Sequence, residues 1–117
     1  MHIRRGDGPQ KIATTTYVDD ALVILGNNIR IARANNRWTQ IELATRAHCS
    51  LRTIASIENG SPTTSIATIF AVLQVLRIPI FGEELPQKIA EMRARSGQQA
   101  ALLPARIRQM ESIDVDF

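Results

Sequence analysis

From Leu22 to Leu76, apolar residues recur at helical spacing in four blocks separated by short polar breaks. The first block, Ala21 to Asn35, carries Leu22, Leu25, Ile29 and Ala32 on one face. Asp19 and Asp20 would suit the first turn of this helix, where the positive end of its dipole favours acids. In the second block Thr39 is a natural N-cap and Glu42 follows three residues later, the spacing of a capping box. Trp38 can staple onto Leu43, and the helix is expected to run to about Ala47. Ser50 caps a third helix that runs to about Asn59 and stops at Gly60, where left-handed backbone costs little. Ser65 caps a fourth through Leu76, with Ile66, Ile69, Phe70, Leu73 and Leu76 as its apolar stripe.

After Leu76 the period changes. Arg77 to Phe81 (RIPIF) alternates, which suits a short edge strand or a plain connector. Pro86 opens a fifth helix with Ile89 and Met92 on one side, expected to end near Arg95 because Ser96-Gly97 follows. Gln98 to Leu103 is ambiguous. Pro104 to Phe117 reads as an extended tail, with at most a short helix around Arg106 to Met110. Residues Met1 to Thr16 are polar, with Gly6, Gly8 and Pro9, and read as a flexible arm. The fold class is therefore all-α, a five-helix domain. Its expected parts are an N-terminal arm (1–18), a helical domain (19–82) and a C-terminal helix and tail (83–117).

The segment Thr39 to Gly60 (TQIELATRAHCSLRTIASIENG) holds the most information. Two capped helices flank a short turn, and Leu43, Ala44 and Ala47 of the first face Ile54 and Ile57 of the second. That is the shape of a helix-turn-helix, which lays its second helix in the major groove of DNA. The second helix would expose Leu51, Arg52, Ala55 and Ser56, with Ser50 at its tip. Arg52 can bond guanine bidentately, Ser56 can donate or accept, and Leu51 and Ala55 can touch a thymine methyl. Gln40, at the start of the preceding helix, is placed for a phosphate.

Charge supports this reading more by its distribution than its size. The net charge is +3. From Leu22 to Gly60 the basic residues are Arg30, Arg33, Arg37, Arg46 and Arg52, against only Glu42 and Glu58. The end of the chain turns acidic with Glu111, Asp114 and Asp116. One recognition helix reads only a few base pairs, so a homodimer on a two-fold operator is expected. The single cysteine, Cys49, rules out an internal disulfide and a thiolate metal cluster, and a reducing cytoplasm is the natural setting. His2 and His48 lack partners at ligand spacing, so neither metal nor cofactor is expected. No signal peptide or membrane span is legible. An enzyme is not expected, because the chain offers no nucleophile–base pair, no paired carboxylates and no phosphate loop.

These residues resemble the XRE family of Cro and phage-repressor regulators, in the segments LGNNIRIARANNRWTQIELA, SLRTIASIENG and SIATIFAVLQVL. The resemblance covers roughly Leu25 to Ile78 and implies a lambda-repressor-like fold and repression of transcription. It also implies that Arg33 pairs with Glu58, tying two helices. His48 departs from the family, which usually has glycine in the turn, so His48 is expected to be left-handed or the turn strained. A narrower resemblance is to HipB-type antitoxins, in N-x-WTQ-x-ELA and in the ending LPARIRQMESIDVDF. It implies a HipA-like kinase toxin as partner, engaged partly through residues 83–117, and autoregulation of a shared operon. A stand-alone or phage repressor, and an interaction module that has lost DNA binding, remain as alternatives.

Overall fold

The computed structural model describes residues 13–107. The expectations for residues 1–12 and 108–117, including most of the arm and the acidic end, lie outside the described residues. Five α-helices follow in order: α1 (Thr16–Asn35), α2 (Gln40–Arg46), α3 (Leu51–Glu58), α4 (Ile66–Val75) and α5 (Pro86–Ala101). The chain divides into two compact units, with the break between Phe81 and Gly82.

The first unit holds α1 to α4. Ile29 of α1, Leu43 of α2, Ile54 of α3 and Val72 of α4 are its fully buried large side chains, one from each helix. Each such side chain contributes roughly 1.5–3 kcal/mol by leaving water. Ala44, Ala47, Ile57, Leu73 and Leu76 complete the core, and Leu25, Ala32, Trp38 and Ile69 pack against it. In this unit α3 packs against both α1 and α2, and α2 also meets α4.

The caps act as the sequence suggests. Thr39 accepts from the Glu42 amide and the Glu42 carboxylate accepts from the Thr39 amide, at 3.1 and 2.9 Å. Ser50 and Ser65 accept from the amides of Thr53 and Thr68. Gly60 ends the third helix at φ 78°, and His48 is left-handed at φ 57°.

Four boundaries or faces differ from expectation. Helix α1 has Asp19 in its first turn as expected but starts at Thr16, a few residues ahead of that aspartate, because Thr15 accepts from the Val18 amide and caps it there. The inward face of α4 is carried by Val72, Leu73 and Leu76, whereas Ile66 is 68% exposed and Phe70 36%. An all-apolar helix gives too little contrast to locate its buried face from spacing alone. Residues 77–81 form no strand. Arg77 and Phe81 adopt φ 59° and 55°, which breaks the extended path, and the Phe81 ring meets Phe70 edge-on at 6.1 Å. Helix α5 continues through Ser96-Gly97 to Ala101. A lone helical glycine costs only about 1 kcal/mol against alanine, and the flanking Ala and Gln residues sustain the helix.

In the second unit α5 buries no residue, and its exposed Lys88 pairs with Glu91 at 3.7 Å. Among the described residues no helix is long and apolar enough to cross a membrane.

Candidate nucleic-acid interface

Helix α3 is held at its C-terminal end and open at its N-terminal end. Ile54, Ile57 and Glu58 are its buried residues. Glu58 is the only buried charged side chain among the described residues, and it is fully satisfied. Arg33 of α1 grips its carboxylate with two donors: Nε to Oε2 at 2.6 Å and Nη2 to Oε1 at 3.0 Å. Gln40 of α2 donates to Oε1 at 3.0 Å. Arg30 donates to the Glu58 backbone carbonyl at 3.2 Å and brings its Nε to 3.5 Å from Oε1. Arg33 Nη1 also donates to the Trp38 carbonyl at 3.0 Å, extending the clamp to the loop before α2.

One carboxylate thus joins α1, α2 and α3. Burial pushes the Glu58 carboxyl up, but the Arg33 and Gln40 hydrogen bonds and the Arg33 charge outweigh it and hold it below the ordinary carboxylate value. The same hydrogen bond with Glu58 raises Arg33. Both groups are charged in the folded protein.

Gly26 sets the α1–α3 distance. A Cβ there would lie 2.6 Å from the Ile57 carbonyl oxygen and 2.7 Å from that of Glu58. Only glycine lets α1 approach the end of α3 so closely. The turn before α3 is tightened by the Cys49 amide, which donates to the Ala44 carbonyl at 3.0 Å. Burial raises the Cys49 thiol, which fits a small packing residue better than a reactive one.

At the open end Ser50, Leu51 and Arg52 are exposed, whereas Ala55 and Ser56, in the last turn, are half-buried. Leu51 keeps 45% of its surface in water. The Ser50 hydroxyl caps α3 and touches the Thr53 hydroxyl at 2.9 Å. Three of the six residues singled out from sequence, Ser50, Leu51 and Arg52, therefore share the open end of α3, and two more, Ala55 and Ser56, lie in its last turn. The sixth, Gln40, is half-buried, and its side-chain amide is engaged with Glu58. In α2, the Arg46 guanidinium lies 4.3 Å from the Trp38 ring centroid, a cation–π contact that fixes where this charge stands.

Sequence reasoning missed the parts played by Gly26, Arg30 and Gln40 in this clamp. A glycine inside a strong helical pattern was the available signal for Gly26. Arg30 lies one turn before Arg33, so the two could reach one acceptor. No local signal betrays Gln40.

Residues 29–82 match a family model described as Helix-turn-helix. Over 54 residues the chain is 39% identical to "Antitoxin HipB" of Escherichia coli O6:H1 strain CFT073, covering 46% of this chain and 57% of that protein. It is 37% identical over 54 residues to "Antitoxin HipB" of Escherichia coli K12, covering 46% and 61%. This match spans about 57–61% of the length of these curated relatives. Two solved structures, "MDT Protein" and "Structure of HipA-HipB-O2-O3 complex", each match at 32% identity and a TM-score of 0.47. Each match covers 61% of this chain and 90% of the other. The capped helix pair and the family match make residues 29–82 an XRE-type helix-turn-helix domain, a DNA-binding class. Within that class, the domain is HipB-like in sequence.

Proposed function

We propose that this protein is a sequence-specific transcriptional repressor. It acts in the cytoplasm as a homodimer on a two-fold operator, and α3 is its recognition helix. The observation that carries this reading is the contrast along α3. Its last residue, Glu58, is clamped by Arg33, Gln40 and Arg30, while Ser50, Leu51 and Arg52 stand exposed at its start and Ala55 and Ser56 lie half-buried between. A helix held rigidly at one end presents the other to a groove without losing order on binding. Arg52 reads guanine through its two donors. Leu51 and Ala55 contact thymine methyls, Ser50 and Ser56 supply hydroxyls, and the first turn of α2 at Gln40 lies against a phosphate.

The HipB-like segment supports a finer assignment. The protein is the antitoxin of a HipA-like kinase and represses the operon that encodes both, with residues 83–117 contributing to the kinase contact. A stand-alone repressor is the second reading, favoured by the fact that the likeness is confined to 54 residues. Binding to upstream DNA and to scrambled DNA tests the repressor, with a footprint on two half-sites as the expected result. Equal affinity for both sequences would refute specific repression. Co-purification with the product of the neighbouring gene separates antitoxin from stand-alone repressor.

A further inference from the structure

Between Ser50 and Ser56, Ile54 belongs to the core and only Thr53 has no part in the proposed reading. Thr53 is half-buried, whereas Ser50 is exposed. The Ser50 Oγ accepts from the Thr53 amide at 3.0 Å, and the two hydroxyl oxygens stand 2.9 Å apart. Neither hydroxyl has a further hydrogen-bond partner among the described residues. Each hydroxyl carries one proton and two lone pairs. One of the two protons lies between the oxygens, and the other points away from the pair. With Thr53 donating, the Ser50 oxygen accepts twice, so both its lone pairs are used and its own proton faces outward. The reverse order leaves the free proton on the half-buried threonine. Only the first order puts the donor on the exposed group.

We infer that Thr53 positions Ser50 as a donor-only group, and so sets which base edges α3 accepts at its tip. The inference rests on the reading of α3 as the recognition helix. A lone serine hydroxyl donates or accepts, and so discriminates little between bases. With both lone pairs engaged it fits the major-groove acceptors: guanine O6 and N7, adenine N7 and thymine O4. It rejects the amino groups of cytosine and adenine, which are donors. Thr53 acts through Ser50 and touches no base itself. The order Thr53 to Ser50 to base polarises successive hydrogen bonds in one direction, which strengthens both. A hydroxyl fixed before binding also loses less freedom on binding.

Helix α4 holds an internal control. Ser65 accepts from the Thr68 amide at 3.2 Å, and their hydroxyl oxygens stand 2.9 Å apart. The two serine–threonine pairs share one capping duty, but only the pair in α3 is followed by the exposed Leu51 and Arg52 of the reading face.

Binding of the full chain to upstream DNA, to its single-base-pair variants and to scrambled DNA tests the inference. Thr53→Val removes the hydroxyl and keeps the amide cap, so its melt is expected to match that of Thr68→Val. On upstream DNA, Thr53→Val is expected to bind roughly 2- to 12-fold more weakly, the span of one net hydrogen bond. Its preference is expected to fade at one base pair of each half-site. Thr68→Val is expected to bind as wild type. Ser50→Ala is expected to lose as much as Thr53→Val, and the double variant no more than Ser50→Ala alone. Wild-type affinity and preference in Thr53→Val overturn the inference. So does a Thr53→Val loss that persists in the Ser50→Ala background, because Thr53 then acts by itself. A loss equal on every sequence also overturns it, because the proton then goes to a phosphate. A wild type that binds upstream and scrambled DNA alike overturns the recognition reading and this inference with it. A sequence-specific wild type with an indifferent Thr53→Val overturns this inference alone.

Discussion

The two ends of α3 are built on opposite principles. At the C-terminal end every polar group of Glu58 has a protein partner, and a Cβ at Gly26 would collide with backbone carbonyls. At the N-terminal end Leu51 and Arg52 face water, and the Arg52 side chain makes no hydrogen bond or ion pair among the described residues. One end is saturated so that the other can remain unspent. A reader of DNA needs both, because a helix that shifts by an ångström misplaces every donor it carries.

The sharpest way to break this contrast is at Glu58. Removing it strands Arg33 and leaves buried donors unpaired, which costs roughly 3–5 kcal/mol. In a domain of this size 1 kcal/mol moves the melting midpoint by roughly 4–8 °C. Glu58→Ala is therefore expected to melt more than about 10 °C below wild type, as read by circular dichroism. A midpoint within error of wild type would deny the clamp its structural role.

Gly26→Ala attacks the same end by volume instead of charge. Its Cβ would meet backbone oxygens, which cannot swing away as a side-chain tip can. Overpacking of this kind costs roughly 1–3 kcal/mol. Urea unfolding is the measurement, and equal or greater stability would contradict the close approach of α1 to α3.

At the open end the expected signature reverses. Arg52→Ala should leave the melt unchanged and lower the preference for operator over scrambled DNA by roughly 1–3 kcal/mol, about 5- to 150-fold. An unaltered ratio would remove Arg52 from the reading face.

Acid sharpens the comparison. The folded Glu58 carboxyl titrates below its ordinary value, so the unfolded chain binds this proton more readily. Its contribution to stability is full above the unfolded value near 4.5 and is lost as pH falls through the folded one. Wild type should lose stability on acidification relative to Glu58→Gln, so that the gap between their melting midpoints narrows. A gap that stays constant to roughly pH 2 would show that Glu58 is not charged in the fold. The smallest effect is expected in α5, where Lys88→Ala removes an exposed pair worth at most ~1 kcal/mol.

Local chemistry carried much of this protein on the surface of its sequence. Thr39 with Glu42, and Ser50, Ser65 and Gly60, mark element ends because capping depends on residues three or four positions apart. The spacing of Ile29, Leu43, Ile54 and Ile57 likewise placed four core residues, since a helix repeats every 3.6 residues whatever surrounds it. Resemblance supplied the Arg33–Glu58 pair, which spacing alone could not. The rest was decided in three dimensions. Which side of α4 turns inward depended on what packs there, because Ile66 and Phe70 are as apolar as Val72 and Leu73. Whether RIPIF became a strand depended on a partner strand, and instead Arg77 and Phe81 turned the chain. That Gln40 and Arg30 bind Glu58, and that Gly26 lets α1 reach it, followed only once residues 18 to 32 positions apart were brought into contact. Short-range rules are written in neighbouring residues; the clamp holding α3 is a long-range fact, which the packing of three helices alone could create.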